Sequence, residues 1–129
     1  VTNVDLVQES GPERLEDKLA IWARLDAAAA PETILASSTS AIVASLFTEK
    51  LAGRGRCLVA HPVNPPHLVP IVELCGAPWT TKETVAKARA FYEKQGCVAV
   101  RFGVSPPPES EPDVEYQWRP RRAGTTPDA

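Results

Sequence analysis

The sequence predicts an α/β domain with a mostly parallel sheet. Two observations carry that prediction and a third bounds it. Short apolar runs alternate with helical patterns from Val1 to about Phe102, the order expected of β-α-β units. Two of these runs are followed at once by polar clusters, Ser37 to Ser40 after TILA and His61 to Pro66 after CLVA. From Gly103 onward, proline and charge replace the aliphatic residues. The organisation read from this is an α/β unit over residues 1–102 and a proline-rich tail over 103–129. That tail holds too little apolar surface to offset its ordering entropy and is expected to be disordered. Its Pro106-Pro107-Pro108 run favours polyproline conformation.

The elements follow in chain order. Val4 to Gln8 (VDLVQ) reads as a strand. Between Glu13 and Ala30, Leu15, Leu19, Trp22 and Leu25 recur at spacings of four and three, one face of a helix. Glu13, Glu16 and Asp17 favour its N-terminus and Pro31 stops it. Thr33 to Ala36 is the next strand; a short helix over Ala41 to Leu51 follows, capped from the Ser37–Ser40 cluster. Cys57 to Ala60 and Val69 to Leu74 are further strands, joined by a segment stiffened by Pro62, Pro65 and Pro66. Thr80 and Glu83 make a capping box for a helix running to about Gln95. Gly96 ends that helix, and Cys97 to Phe102 is the last strand.

Bulk properties exclude several classes. Of 129 residues, 43% are hydrophobic, enough for a core, and the net charge of −2 provides no basic surface for nucleic acid. No run reaches the ~18 apolar residues of a membrane span, and no signal peptide is apparent. The three cysteines, Cys57, Cys75 and Cys97, sit in apolar runs, as buried free thiols of a reducing compartment would. With His61 and His67 they lack metal-ligand spacing, so no metal is expected. No G-x-G-x-x-G is present; Gly53-Arg54-Gly55 follows a helix and lacks the third glycine.

Ligands of such sheets sit beyond the carboxyl ends of the strands, which brings Ser37–Ser40 and His61–Pro66 to one edge. His61 alone would pass for a structural residue. Glu73, however, stands inside an apolar strand and needs a partner. If the chain turns back, the carboxylate can orient the imidazole and make it a base near neutral pH. Asn64 reads either as a ligand group or as a turn residue before Pro65, and His67 as solvated. Ser40, His61 and Glu73 also raise a serine-hydrolase triad, although no G-x-S-x-G elbow surrounds any serine. A non-catalytic interaction module built on the proline-rich tail is a third reading.

SSTSA (Ser37 to Ala41), followed by AHPVNPPHLVPIVEL (Ala60 to Leu74) and preceded by DLVQESGPERLEDK (Asp5 to Lys18), resembles the 3-hydroxyacyl-CoA dehydrogenase superfamily. The nearest flavour is the lambda-crystallin / L-gulonate 3-dehydrogenase branch. The similarity runs from about Val4 to Arg101.

The resemblance implies the second half of a Rossmann-like NAD-binding domain from a cytoplasmic oxidoreductase that uses NAD. Its substrate would be a hydroxyacyl-CoA or related hydroxy acid, as in fatty acid metabolism, and full-length relatives would be homodimers. It places the catalytic histidine at His61 and its paired glutamate at Glu73, with a substrate-contacting serine at Ser40. On the cofactor side it places Glu13, Lys18, Ser38 and Asn64, Ser38 standing where many relatives carry asparagine. The first βαβ unit with its glycine loop would lie ahead of Val1. Beyond the last strand, RFGVSPPPESEPDV replaces the family's next helix. The chain is therefore expected to be a fragment with a tail foreign to the family, inactive by itself.

Overall fold

A computed structural model describes residues 3–105. The order is β1 (Leu6–Glu9), α1 (Leu15–Ala28), β2 (Ile34–Ser37), α2 (Ala44–Thr48), a 3-10 turn (Arg54–Arg56), β3 (Cys57–Pro62), β4 (Ile71–Gly76), α3 (Lys82–Lys94) and β5 (Val98–Val104). The strands form one sheet in the order β1-β2-β3-β4-β5. Three of the four pairings, β1 with β2, β2 with β3 and β4 with β5, are parallel. Each of these has a helix-bearing crossover between its strands, as parallel neighbours require. Only β3 and β4, joined by the proline loop, run antiparallel. The sheet is thus mostly parallel and Rossmann-like, with one reversal of direction inside it.

At its centre, over β2 and β3, the sheet is covered on both faces, which explains why those strands read as continuous apolar runs. Ile34, Ala36, Leu58, Ala60, Val72, Leu74 and Ala99 alternate onto the face packed by Ala88 and Tyr92 of α3. Leu35, Cys57 and Val59 point the other way, against Trp22 of α1 and Ala44 and Phe47 of α2. Trp22 and Phe47 meet there with ring centroids 4.7 Å apart. Cys57, Cys75 and Cys97 are free thiols, and burial pushes that of Cys57 up to about 12.

Several elements depart from the sequence expectation, each for a packing reason. On α1, Leu15 and Leu19 are 37% and 43% exposed, while Lys18 and Trp22 are buried. The helix is rotated so that these two polar-tipped side chains reach Glu9 at the end of β1. The helix after β2 is shorter than 41–51 and has Val43 at its N-cap without a side-chain bond. Thr39 serves the backbone ahead of it instead, its Oγ1 accepting from the N–H groups of Ala41 and Ile42 at 3.3 and 2.9 Å. The cap of α3 is Thr81, accepting from the Thr84 N–H at 3.1 Å. Thr80 is occupied elsewhere: its hydroxyl donates to the Cys57 carbonyl at 2.7 Å and accepts from the Ala77 N–H at 2.8 Å. After α3, Gly96 takes the φ of 85° that turns the chain into β5. That strand continues to Val104, two residues into the segment read as tail, and the Ser105 N–H donates to the Gly76 carbonyl at 2.8 Å. Residues 106–129, the rest of that segment, lie outside the described residues.

Glu9 is the most heavily bonded polar side chain of the described residues. Lys18 donates to both carboxylate oxygens at 3.2 and 3.0 Å. Trp22 Nε1 donates at 3.0 Å, the Ser37 hydroxyl at 2.7 Å, and the Gly11 N–H closes the set. Burial by itself would raise the Glu9 carboxyl. The donors from Ser37, Trp22, Lys18 and Gly11 outweigh it and hold the group below the ordinary 4.5.

Two outcomes follow for stability. Leu58→Ala, which hollows the face under α3, should cost about 2–5 kcal/mol, read from the urea midpoint at constant slope. Glu9 has a folded pKa below its unfolded value. Its contribution is therefore complete above pH 4.5 and lost as pH falls through the folded value. The unfolding free energies of the wild type and Glu9→Gln should differ most near neutrality, by about 3–5 kcal/mol, and converge under acid. A gap that does not close would show that the Glu9 charge is not what stabilises the fold.

Candidate active site

The reversal between β3 and β4 builds the site. In that ladder His61 lies directly opposite Glu73, between the pairs Ala60–Leu74 and Pro62–Val72. Directly opposed side chains on one face of an antiparallel pair stand within reach of each other. His61 Nδ1 is 2.9 Å from Glu73 Oε2. The connecting loop is tied down at both ends: the Val63 N–H donates to the Ile71 carbonyl, and Leu68 and Val69 both donate to Pro65, all at 3.0 Å.

The pair is 24% and 35% exposed, desolvated in part but open on one side. A cleft of about 200 Å³ lies on that side. Its polar wall is Thr39, Ser40, His61 and Glu73; Ile42, Val43, Val59, Cys75 and Phe102 make the apolar one. Burial raises the Cys75 thiol, keeping it protonated and part of that apolar wall. With Nδ1 turned to the carboxylate, Nε2 is the ring nitrogen available to a ligand in the cleft. A carboxylate accepting Nδ1–H selects the tautomer whose Nε2 is unprotonated, which is the form that can act as a base.

The other candidate residues distribute around this cleft. Ser40 lines it and makes no hydrogen bond to His61, so the bond a serine nucleophile would share with its base is not formed. Glu13 accepts a hydrogen bond from the Thr39 hydroxyl and is thereby held beside the rim. The Ser38 hydroxyl is directed to the β1 end, 3.0 Å from the Glu9 carbonyl and 2.9 Å from the Ser10 hydroxyl. Lys18 lies beneath these loops in its bond to Glu9, and Asn64 is exposed in the proline loop.

Three residues of the site or its support, Glu9, Thr39 and Phe102, carried no readable signal in the sequence, and a fourth, Cys75, was not read as part of the site. Glu9 looks like a loop residue, and Thr39 is one hydroxyl among four in Ser37–Ser40. Cys75 could have been placed, since it follows Glu73 at the period of a strand face.

The volume bears on what this arrangement can hold. Sites that enclose a whole small molecule measure about 300–1,000 Å³. A cleft of about 200 Å³ fits one end of a ligand, such as a nicotinamide ring against a hydroxyl-bearing carbon. Within the 129 residues no G-x-G-x-x-G loop is available to cradle a diphosphate. The residues present therefore fit the reacting end of a dinucleotide.

Known proteins resemble this chain over most of its described length. Residues 1–104 match the family described as 3-hydroxyacyl-CoA dehydrogenase, NAD binding domain. An L-carnitine dehydrogenase of Pseudomonas putida is 44% identical over 96 residues, covering 74% of this chain and 30% of that protein. A 3-hydroxyacyl-CoA dehydrogenase of Gibberella moniliformis is 43% identical over 97 residues, again 74% of this chain and 30% of the relative. Among solved structures, 3-hydroxybutyryl-CoA dehydrogenase from Escherichia coli superposes with a TM-score of 0.75 at 30% identity, over 79% of this chain and 22% of that one. The chain spans about a third of the length of these curated relatives. A match over residues 1–104, on a Rossmann-like sheet that sets His61 against Glu73 at the wall of a cleft, places this chain in the 3-hydroxyacyl-CoA dehydrogenase NAD-binding domain family.

Proposed function

We propose that this chain carries the proton-transfer half of an NAD-dependent dehydrogenase acting on a 3-hydroxyacyl-CoA or a related hydroxy acid. The observation that carries the reading is the 2.9 Å contact of His61 Nδ1 with Glu73 Oε2 at the wall of a cleft that also holds Ser40. Glu73 holds Nδ1–H, so Nε2 takes the proton of the substrate hydroxyl. The carboxylate then lies against the imidazolium that forms and offsets its charge. The Ser40 hydroxyl holds the substrate oxygen. Bound NAD would accept the hydride from the same carbon. Glu13, Ser38 and Asn64 belong to the cofactor side by their match to the family motif. Lys18 belongs to the same side by the same match, its ammonium resting 3.0 Å from Glu9 in this structure.

The relatives support carnitine and hydroxyacyl-CoA as substrates more directly than L-gulonate. The setting proposed is cytoplasmic, with a homodimer for the whole enzyme. The partial NAD-binding domain is taken to run through Val104, where β5 ends, and the segment beyond it is taken as an appended tail. By itself the chain should be inactive, since it has no loop for the cofactor diphosphate.

The isolated chain, given NAD with L-carnitine or 3-hydroxybutyryl-CoA, should form no NADH; steady formation would overturn the inactivity. The dyad is tested in a chimera, the Pseudomonas putida enzyme with its matched 96-residue segment replaced by that of this chain. The chimera should oxidise a 3-hydroxy substrate, and His61→Ala within it should lower kcat by about 10²–10⁴-fold. A chimera that melts like its parent yet forms no NADH, or one indifferent to His61→Ala, would refute the reading.

A further inference from the structure

We propose that Gln8 is a positioning residue for His61. Its side-chain amide, itself set by the Tyr92 hydroxyl, holds the peptide that joins Ala60 to His61. The proposal rests on the dehydrogenase reading only in taking His61 as the base.

β3 outruns its neighbour just where it carries the base. Ser37 and Val59 are the last pair of the β2–β3 ladder. Ala60 and His61 lie beyond it, paired to Leu74 and Glu73 of β4 on one side only. The next two N–H groups after β2 are taken up elsewhere. That of Ser38 donates to the Glu9 carbonyl at 2.8 Å, and that of Thr39 to the Ser37 hydroxyl at 3.3 Å. Ala60 is fully buried, so water cannot serve its carbonyl either. A buried carbonyl left without a donor is costly. Gln8 Nε2 supplies the donor, 3.0 Å from that oxygen.

The amide arrives from the face of the sheet opposite the cleft. Gln8 is in register with Ala36, which packs on the face under α3. Tyr92 of α3, buried in that face, donates its hydroxyl to Gln8 Oε1. Burial raises the Tyr92 hydroxyl, which therefore keeps its proton. Tyr92 thus selects the acceptor end of the amide and leaves the donor end for Ala60. A series of hydrogen bonds runs from α3 through β1 to the backbone beside the base. The β4 ladder holds the His61 backbone on one flank and Gln8 holds it on the other. The imidazole hangs from that backbone, so its 2.9 Å contact with Glu73 depends on how the peptide is set.

The first arm of the test uses the isolated chain and needs no activity. Its proton spectrum should contain a His61 Nδ1–H resonance, held against exchange by Glu73. Gln8 is exposed on an edge strand, so its substitution leaves the fold in place. Gln8→Leu should shift the resonance and speed its exchange by about tenfold. At neutral pH, Gln8→Glu, similar in size but unable to donate, should do the same. Tyr92→Phe, which frees the amide to turn over, should act in the same direction more weakly. Leu58→Ala, on the same strand and more destabilising, should leave the resonance where it is. In the second arm, Gln8→Leu in the chimera should lower kcat by about 10- to 100-fold. The KM values for NAD and for the hydroxy substrate should stay within about twofold, since Gln8 touches neither. An unmoved Nδ1–H resonance in Gln8→Leu would overturn the proposal, as would an equal displacement by Leu58→Ala. So would a chimera in which Gln8→Leu raises KM and leaves kcat alone. An inactive parent chimera would defeat the dehydrogenase reading only, because the spectra decide the positioning role by themselves.

Discussion

The site depends on one reversal of chain direction. If β3 and β4 were joined by a helical crossover like the other neighbours, they would run parallel, and His61 and Glu73 would stand far apart. The short proline loop forces them antiparallel, and the ladder then places the two residues in register. A slip by one residue would turn either side chain to the opposite face. Leu58, Ala60, Val72 and Leu74 make such a slip costly, since all four are buried against α3. The hydrophobic core on one face therefore holds the titratable pair in register on the other.

The second constraint is a buried charge. Lys18 and Glu9 are together a costly thing to place in a core, and a pair of apolar residues would stabilise the fold as well or better. What an apolar pair could not do is hold specific backbone N–H groups. Glu9 accepts from Gly11 and, with Ser37, orders the start of the Thr39–Val43 turn. Loops at the carboxyl ends of strands have little core of their own to fix them. A charged acceptor with several donors supplies directional bonds where apolar packing cannot.

The alternation of strands and helices was legible because the central strands are buried on both faces and each helix is bounded by proline, glycine or a hydroxyl residue. The dyad was legible because a glutamate in an apolar strand demands a partner. Other features depended on tertiary contacts that a linear pattern does not encode. Leucine spacing pointed Leu15 and Leu19 inward, but Lys18 and Trp22 took that face because Glu9 offered them acceptors. Two adjacent threonines could each have capped α3. Thr80 was drawn to Cys57 and Ala77, which left Thr81 for the helix. Glu9 itself carries no signature, since an acidic residue at a strand end is ordinarily a solvated one.

The cleft exists because the helical cover is incomplete. α1 and α2 pack over Val7, Leu35, Cys57 and Val59, and this cover thins toward β4 and β5. On β5, Ala99 is buried under α3, while Val98, Val100 and Phe102 alternate onto the opposite face and remain exposed. The dyad sits at this boundary, its strand ends packed on one side and open on the other. Complete cover would strip His61 and Glu73 of solvent and ligand access alike. No cover would leave the pair screened by water, with little orienting power. Partial burial reconciles the two demands: the carboxylate stays close enough to fix the imidazole, and Nε2 stays within reach of a ligand.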